Sequence, residues 1–224
     1  RKQGITLDAL LIREEQGVER IVANIAQVGV EAASVIPDIV STTVNALPVS
    51  KRMRWGRTRY DFLRPVQWLV LLLGDSTLPL ELFGRRSGRE SRGHRFHANH
   101  AVSIAAPSDY IEALRQAKVI ADVDERRAQV AEQVSQLQGK GEQVALSKEL
   151  LDEVTGLVEW PVALRGSFDQ GFLDVPAQAL ISAMKTHQKY FHLTDQETGA
   201  LLPAFITVAN IASQQPSEVI AGNE

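Results

Sequence analysis

The sequence has 224 residues, with 24 Lys+Arg against 27 Asp+Glu, and it contains no Cys. That excludes disulfide staples, a thiolate nucleophile and any cysteine-held zinc or iron–sulfur centre, fits a cytoplasmic protein, and suits one large domain or two small ones. The longest apolar run, Trp68 to Leu73, falls far below the roughly 20 residues that span a bilayer, so no membrane association is expected.

In chain order, Thr6 opens a helical pattern with Leu7, Leu10 and Leu11 on one face, closed by Gly17, so a helix is expected over 6–16. Residues 18–28 alternate as a strand, with a helix as the other reading. Residues 30–46 carry apolar side chains at the helical period, and Pro37 marks either a kink or the start of that helix. Residues 65–73 read as a strand buried on both faces. After the Gly74-Asp75-Ser76 turn, Leu78, Leu80 and Leu82 alternate as its antiparallel partner. Residues 85–100 read as a Gly/Arg/His loop. Strands are expected at 101–105 and 119–121, with a helix opened by Pro107 between them. Asp122 or Asp124 then caps a helix to about Leu137.

Gly139-Lys140-Gly141 reads as a hinge between a first lobe, 1–138, and a second, 142–212; both lobes in one domain is the alternative. Ser147 caps a further helix, Pro161 interrupts a strand over 157–166, and Pro176 opens a helix to about His187. Strands at 188–193 and 202–211 form a hairpin around the turn 195–199, and 213–224 is a polar tail. Helices and strands interleave without strict βαβ order, so the fold class is α+β, a mixed or antiparallel sheet with flanking helices.

Charge is unevenly distributed. Residues 51–95 carry 11 basic and 4 acidic side chains, and ten of the eleven cations are Arg, in a chain whose formal net charge is −3. The planar guanidinium fork pairs with phosphate or carboxylate and stacks on bases. This segment is therefore read either as a nucleic-acid contact or as cations paired with the acidic remainder or a partner subunit. Its candidate binding residues are Arg54, Arg57, Arg59, Arg85, Arg86, Arg89, Arg92, His94, Arg95 and His97. His94, His97 and His100 share an i, i+3 spacing, but the Arg-rich loop context disfavours a dication, and no metal site is expected. A phosphate contact through Arg92, His94 and Arg95, or loop packing with Phe96 inward, are the remaining readings. A second cluster, Lys185, His187 and Lys189 beside Tyr190 and Phe191, suits RNA or a solvated surface equally. No phosphate-binding glycine loop or nucleophile elbow occurs, and no nucleophile meets a base, so no catalytic residue is assigned. Trp55, Trp68 and Trp160 read as packing residues.

Three stretches go beyond general patterning. They are Lys51-Arg52-Met53-Arg54-Trp55-Gly56 with Phe62-Leu63-Arg64-Pro65-Val66-Gln67-Trp68-Leu69; Ser87-Gly88-Arg89 with Arg92-Gly93-His94-Arg95-Phe96-His97; and Gly156-Leu157-Val158-Glu159-Trp160-Pro161 with Val175-Pro176 and Met184-Lys185-Thr186-His187-Gln188-Lys189-Tyr190-Phe191. Together the chain resembles the beta subunit of the bacterial heterotetrameric glycyl-tRNA synthetase, over almost its whole length. The resemblance implies an amino-terminal portion of a longer subunit, without the family's HD-type and anticodon-binding domains. It implies a fold like the B3/B4 region of the phenylalanyl-tRNA synthetase beta subunit. It implies partnership with the alpha subunit, with glycine-accepting tRNA and with the remaining beta-subunit domains. ATP and Mg would act through the alpha subunit, with no cofactor bound by this segment. A purely structural scaffold is the alternative, and a vestigial editing-type pocket a third reading.

Overall fold

The computed structural model describes residues 10–23 and 28–212. The chain divides into two compact units, Arg1–Pro48 and Val49–Glu224. In the first, β1 (Leu10–Glu15) and β2 (Val18–Ala23) form an antiparallel hairpin. The helix expected over 6–16 is thus a strand from Leu10 onward; residues 6–9 lie outside the described ones. Gln16 and Gly17 both take positive φ, 54° and 77°, the turn geometry that suits the twist of paired strands. Gly17 therefore turns a hairpin and does not end a helix. The helix expected next is α1 (Ala32–Ala46), which holds Pro37 in its interior and buries none of its residues.

In the second unit, residues 53–103 make short strands. β3 (Met53–Arg54) pairs with β4 (Asp61–Phe62). The run 65–73 is not one buried strand. It yields β5 (Leu69–Val70) and β6 (Leu72–Leu73), and β6 turns through Gly74 into β7 (Ser76–Thr77). β8 (Glu81–Leu82) and β9 (Arg85–Gly88) form a hairpin, with β5 added parallel to β9, so β5 lies at a sheet edge. That edge position leaves Trp68 44% exposed, against the expectation that it packs in the core. β10 (Glu90–Arg92) pairs with β11 (Ala101–Ser103). Seven of the sixteen residues of the expected 85–100 loop are therefore extended and paired, at β9 and β10. The Ser87 hydroxyl explains the first of these, donating to Leu78 O at 2.6 Å and accepting from Leu80 N at 2.7 Å.

The remainder is built around a four-stranded antiparallel sheet in the order β12 (Glu142–Val144), β14 (Phe191–Asp195), β15 (Leu201–Ala209), β13 (Val162–Ser167). Side chains alternate across β15. Ala204 and Ile206 enter a core with Val130 and Val134 of α3 (Val123–Gln136) and Leu150 and Val154 of α4 (Lys148–Leu157). Phe205 points to the other face, against Met184 and Tyr190. Both sheet faces are covered. Helix α2 (Tyr110–Gln116) precedes α3, and α5 (Ala177–Ser182) runs on into a π-helical turn, Ala183–Gln188. The caps fall as read: Asp122 accepts from Glu125 N at 2.9 Å and Ser147 from Leu150 N at 3.4 Å.

Residues 119–121 form no strand, since the Val119 and Ile120 amides donate to Leu114 O and Glu159 O. The 139–141 turn lies inside the second unit, with Gly139 N donating to Glu142 Oε2 at 2.8 Å. The fold is α+β. No helix among the described residues is long and apolar enough to cross a membrane.

Candidate functional site

The Arg-rich segment is assembled by aromatic packing. The Phe83-Gly84 turn between β8 and β9 has φ of 54° and 70°. Its Phe83 ring meets Trp55 at 6.0 Å, Tyr60 at 6.4 Å and Phe62 at 5.0 Å. A Cβ on Gly84 would stand 2.9 Å from the Tyr60 ring, so this turn closes on the β3–β4 hairpin only with glycine. The cluster ties the segment that carries Arg54, Arg57 and Arg59 to the turn that precedes Arg85 and Arg86.

These cations divide by what they touch. Arg85 Nε donates to Val66 O at 3.4 Å. Arg89 donates to Asp75 O at 2.7 Å and to Ala105 O at 3.3 Å, tying three segments together. Arg86 faces Glu81 at 3.6 Å and stays exposed. Arg54, Arg57, Arg59, Arg64, Arg92 and Arg95 are exposed and make no ion pair among the described residues. Exposed guanidinium groups of this kind are hydrated and available to an anion.

Residues 93–100 form a tight loop around His94, which is fully buried. His94 Nδ1 accepts the amide hydrogens of Phe96 and His97, each at 3.2 Å. With Nδ1 used as an acceptor, the ring proton sits on Nε2. Nε2 is buried without a hydrogen-bond partner among the described residues, an arrangement costing about 1–3 kcal/mol. His97 stacks on His94 at 4.7 Å, and its own Nε2 accepts from Ala212 N at 3.1 Å. His94 therefore faces no solvent and organises the loop, while Arg92, Arg95 and His97 are exposed. Phe96 points outward, 67% exposed, not inward. Among the described residues no group of three His, Asp or Glu is arranged to hold a metal ion.

The second cluster is less free. Lys189, in the left-handed region at φ 59°, pairs with Glu153 at 2.7 Å and donates to Thr186 O at 2.8 Å. Lys185 is half-buried and His187 exposed. Burial, and then the Lys185 charge, hold the His192 imidazole below its ordinary value. Behind this segment lies a cavity of about 480 Å³, lined by Phe168, Phe172, Met184, Gln188, Tyr190 and Phe205 among others. Its walls are chiefly apolar, with Gln188 and Asp169 among its polar side chains.

Sequence reasoning missed three features: the aromatic clamp on Phe83, the buried role of His94 and the outward Phe96. A signal existed for the second. A Cβ on Gly93 would lie 2.3 Å from Ala98 O, so the glycine before His94 marks a close backbone approach.

Comparison with known proteins gives the family. The family model described as glycyl-tRNA synthetase beta subunit matches residues 1–224. The glycine–tRNA ligase beta subunit of Chromohalobacter salexigens is 49% identical over 225 residues, covering all of this chain and 33% of that protein. The corresponding subunits of Pseudomonas fluorescens and Stutzerimonas stutzeri are each 51% identical over 197 residues, 88% of this chain and 29% of theirs. The chain spans about a third of the length of these curated relatives. Matched over its full length by one family model and 49% identical over that length to a curated beta subunit, the chain belongs to the glycyl-tRNA synthetase beta subunit family.

Proposed function

We propose that this segment is a non-catalytic, tRNA-contacting and subunit-contacting module of a glycine–tRNA ligase. It supports ATP-dependent attachment of glycine to its tRNA in the cytoplasm. The observation that carries the reading is the set of six exposed arginines, Arg54, Arg57, Arg59, Arg64, Arg92 and Arg95, left without carboxylate partners among the described residues. Cations of this kind bind phosphate and release counterions as they do so. Adenylate chemistry, with ATP and Mg, belongs in this reading to the alpha subunit of the heterotetramer, and the likeness to the B3/B4 module of a phenylalanyl-tRNA synthetase is part of the proposal. Arg85, Arg89, His94 and Lys189 serve the fold first, because each is engaged with its own chain.

The test is tRNA binding by the full subunit, comparing Arg92→Glu/Arg95→Glu with the parent at fixed salt. Affinity for a glycine-accepting tRNA and for an unrelated tRNA is expected to fall together, because phosphate contacts position without reading sequence. Unchanged binding of both removes this face from the RNA.

One observation favours the scaffold reading for a different surface. Phe172, Leu173 and Val175 are exposed at 56%, 37% and 40% near the apolar cavity, the pattern of a face covered by another part of the protein. Substituting Phe172 by Ser is expected to weaken assembly of the subunit and leave RNA affinity unchanged.

A further inference from the structure

We infer that Phe96 is a stacking platform for an unpaired RNA base, held out by His94 and flanked by Arg92 and Arg95. This rests on the tRNA-contacting reading and adds the part of the RNA that is met.

Phe96 is the most exposed aromatic side chain among the described residues. A single exposed apolar side chain needs no explanation by itself; the construction beneath this one does. The loop is pinned from inside at most of its amides. Gly93 N donates to His100 O at 3.1 Å, His94 N to Ala117 O at 2.9 Å and Ala98 N to His94 O at 2.9 Å. The buried His94 Nδ1 takes the Phe96 and His97 amides. The fold tolerates an unsatisfied Nε2 in order to keep this turn. The result is a phenyl ring presented on a fixed backbone, with little ordering left to lose on binding.

The chemistry around the ring selects the partner. Residues 91–100 contain Arg92, Arg95 and three histidines and no acid. The Arg95 guanidinium lies 5.9 Å from the Phe96 centroid. Aromatic faces beside guanidinium groups suit single-stranded RNA, whose unstacked bases lie on the ring while phosphates meet the cations. A base-paired stem offers no such face, because its bases are stacked inside.

The test uses the full-length beta subunit assembled into its ligase, with Phe96→Ala, Phe96→Leu and Phe96→Trp. Two fluorescent RNA hairpins are titrated, both closed by a polyethylene glycol linker in place of loop nucleotides, one blunt and one with a single-stranded 3′ extension. Stacking predicts that Ala and Leu each weaken the extended hairpin about tenfold. It also predicts that Trp retains parental affinity and that the blunt hairpin is unaffected throughout. Equal affinity of all variants for the extended hairpin overturns the inference while leaving the phosphate-contact reading intact. Full retention by Leu, or loss of assembled complex on Ala, overturns it in favour of a protein contact. Absence of RNA binding by the parent removes both readings at once.

Discussion

Arg115, Arg126, Arg127 and Arg165 each bind groups of their own fold, whereas Arg54, Arg57, Arg59, Arg64, Arg92 and Arg95 make no ion pair among the described residues. Arg115 forks onto Glu125, and Arg127 joins Asp152 and Asp124. Arg126 reaches the Thr155 and Ile120 carbonyls. Arg165 meets both oxygens of Glu142, at 2.6 and 2.8 Å. These contacts hold the Glu125 and Glu142 carboxyls below the ordinary range, as Lys148 and then Arg127 do for Asp152. The same residue type thus does two jobs. Around the four-stranded sheet it joins helices and strands to one another; on the short-strand region Arg85 and Arg89 do the same, while the six others are presented outward on a frame made of aromatic rings and backbone hydrogen bonds.

The comparison can be broken first at the frame. Gly93→Ala places a methyl group 2.3 Å from a backbone oxygen that cannot rotate away. It is expected to cost about 1–3 kcal/mol in chemical denaturation. Wild-type stability would show that the 93–100 loop is not held as tightly as its hydrogen bonds require.

Next comes a paired arginine. Glu142→Gln removes the charge that faces Arg165, in a carboxylate that also takes Gly139 N. A loss of about 1–2 kcal/mol is expected near neutral pH. Arg165, as the hydrogen-bond donor, is the main cause of the lowered Glu142 value. The contribution is therefore present above the ordinary glutamate value of 4.5 and is lost as pH falls through the folded value. A denaturation series below pH 5 should show the wild type converging on the variant.

A smaller effect is expected at His192. Its imidazole is held below 6.5 by burial and then by Lys185. The folded state resists protonation there, so stability is full above 6.5 and declines as pH falls below it. His192→Gln should flatten unfolding free energy between pH 6.5 and 5 relative to the wild type, and an unchanged slope would contradict the assigned cause.

Smallest of all is the expected effect on stability of Arg54→Gln, Arg57→Gln and Arg59→Gln together. Exposed and without ion pairs, they should shift unfolding by no more than about 0.5 kcal/mol each. A large loss would show that these side chains hold the fold together.

Much of the sheet region was legible in the sequence because its signals are local. Asp122 and Ser147 stand at the N-caps they suggest. Gly199, at φ 70°, turns the hairpin from β14 into β15. The failures share a physical origin in partners distant along the chain. Leu10 and Leu11 have helical spacing, but pairing with Val22 and Ala23 decides for a strand. Residues 85–92 look like a loop because they hold no apolar side chains to alternate and Gly is a poor strand former; Ser87 and the β5 edge recruit them.

The site divides in the same way. The Arg-rich segment was visible from composition, but the separation of structural from free cations was not. The carbonyls that hold Arg85 and Arg89 lie 14 to 19 residues away. His94 looked like a surface ligand, since its burial depends on Ala117 across the fold.

The central claim is that the unpaired arginines meet RNA phosphate. It is tested most directly by the salt dependence of tRNA affinity in the full subunit, measured for the parent and the Arg54/Arg57/Arg59→Gln variant. Each lost phosphate contact should make the slope of log affinity against log salt shallower by about one, so a slope reduced by between one and three is expected. A variant that binds with the parent's affinity and the parent's slope would contradict it, and would place the RNA elsewhere on the ligase.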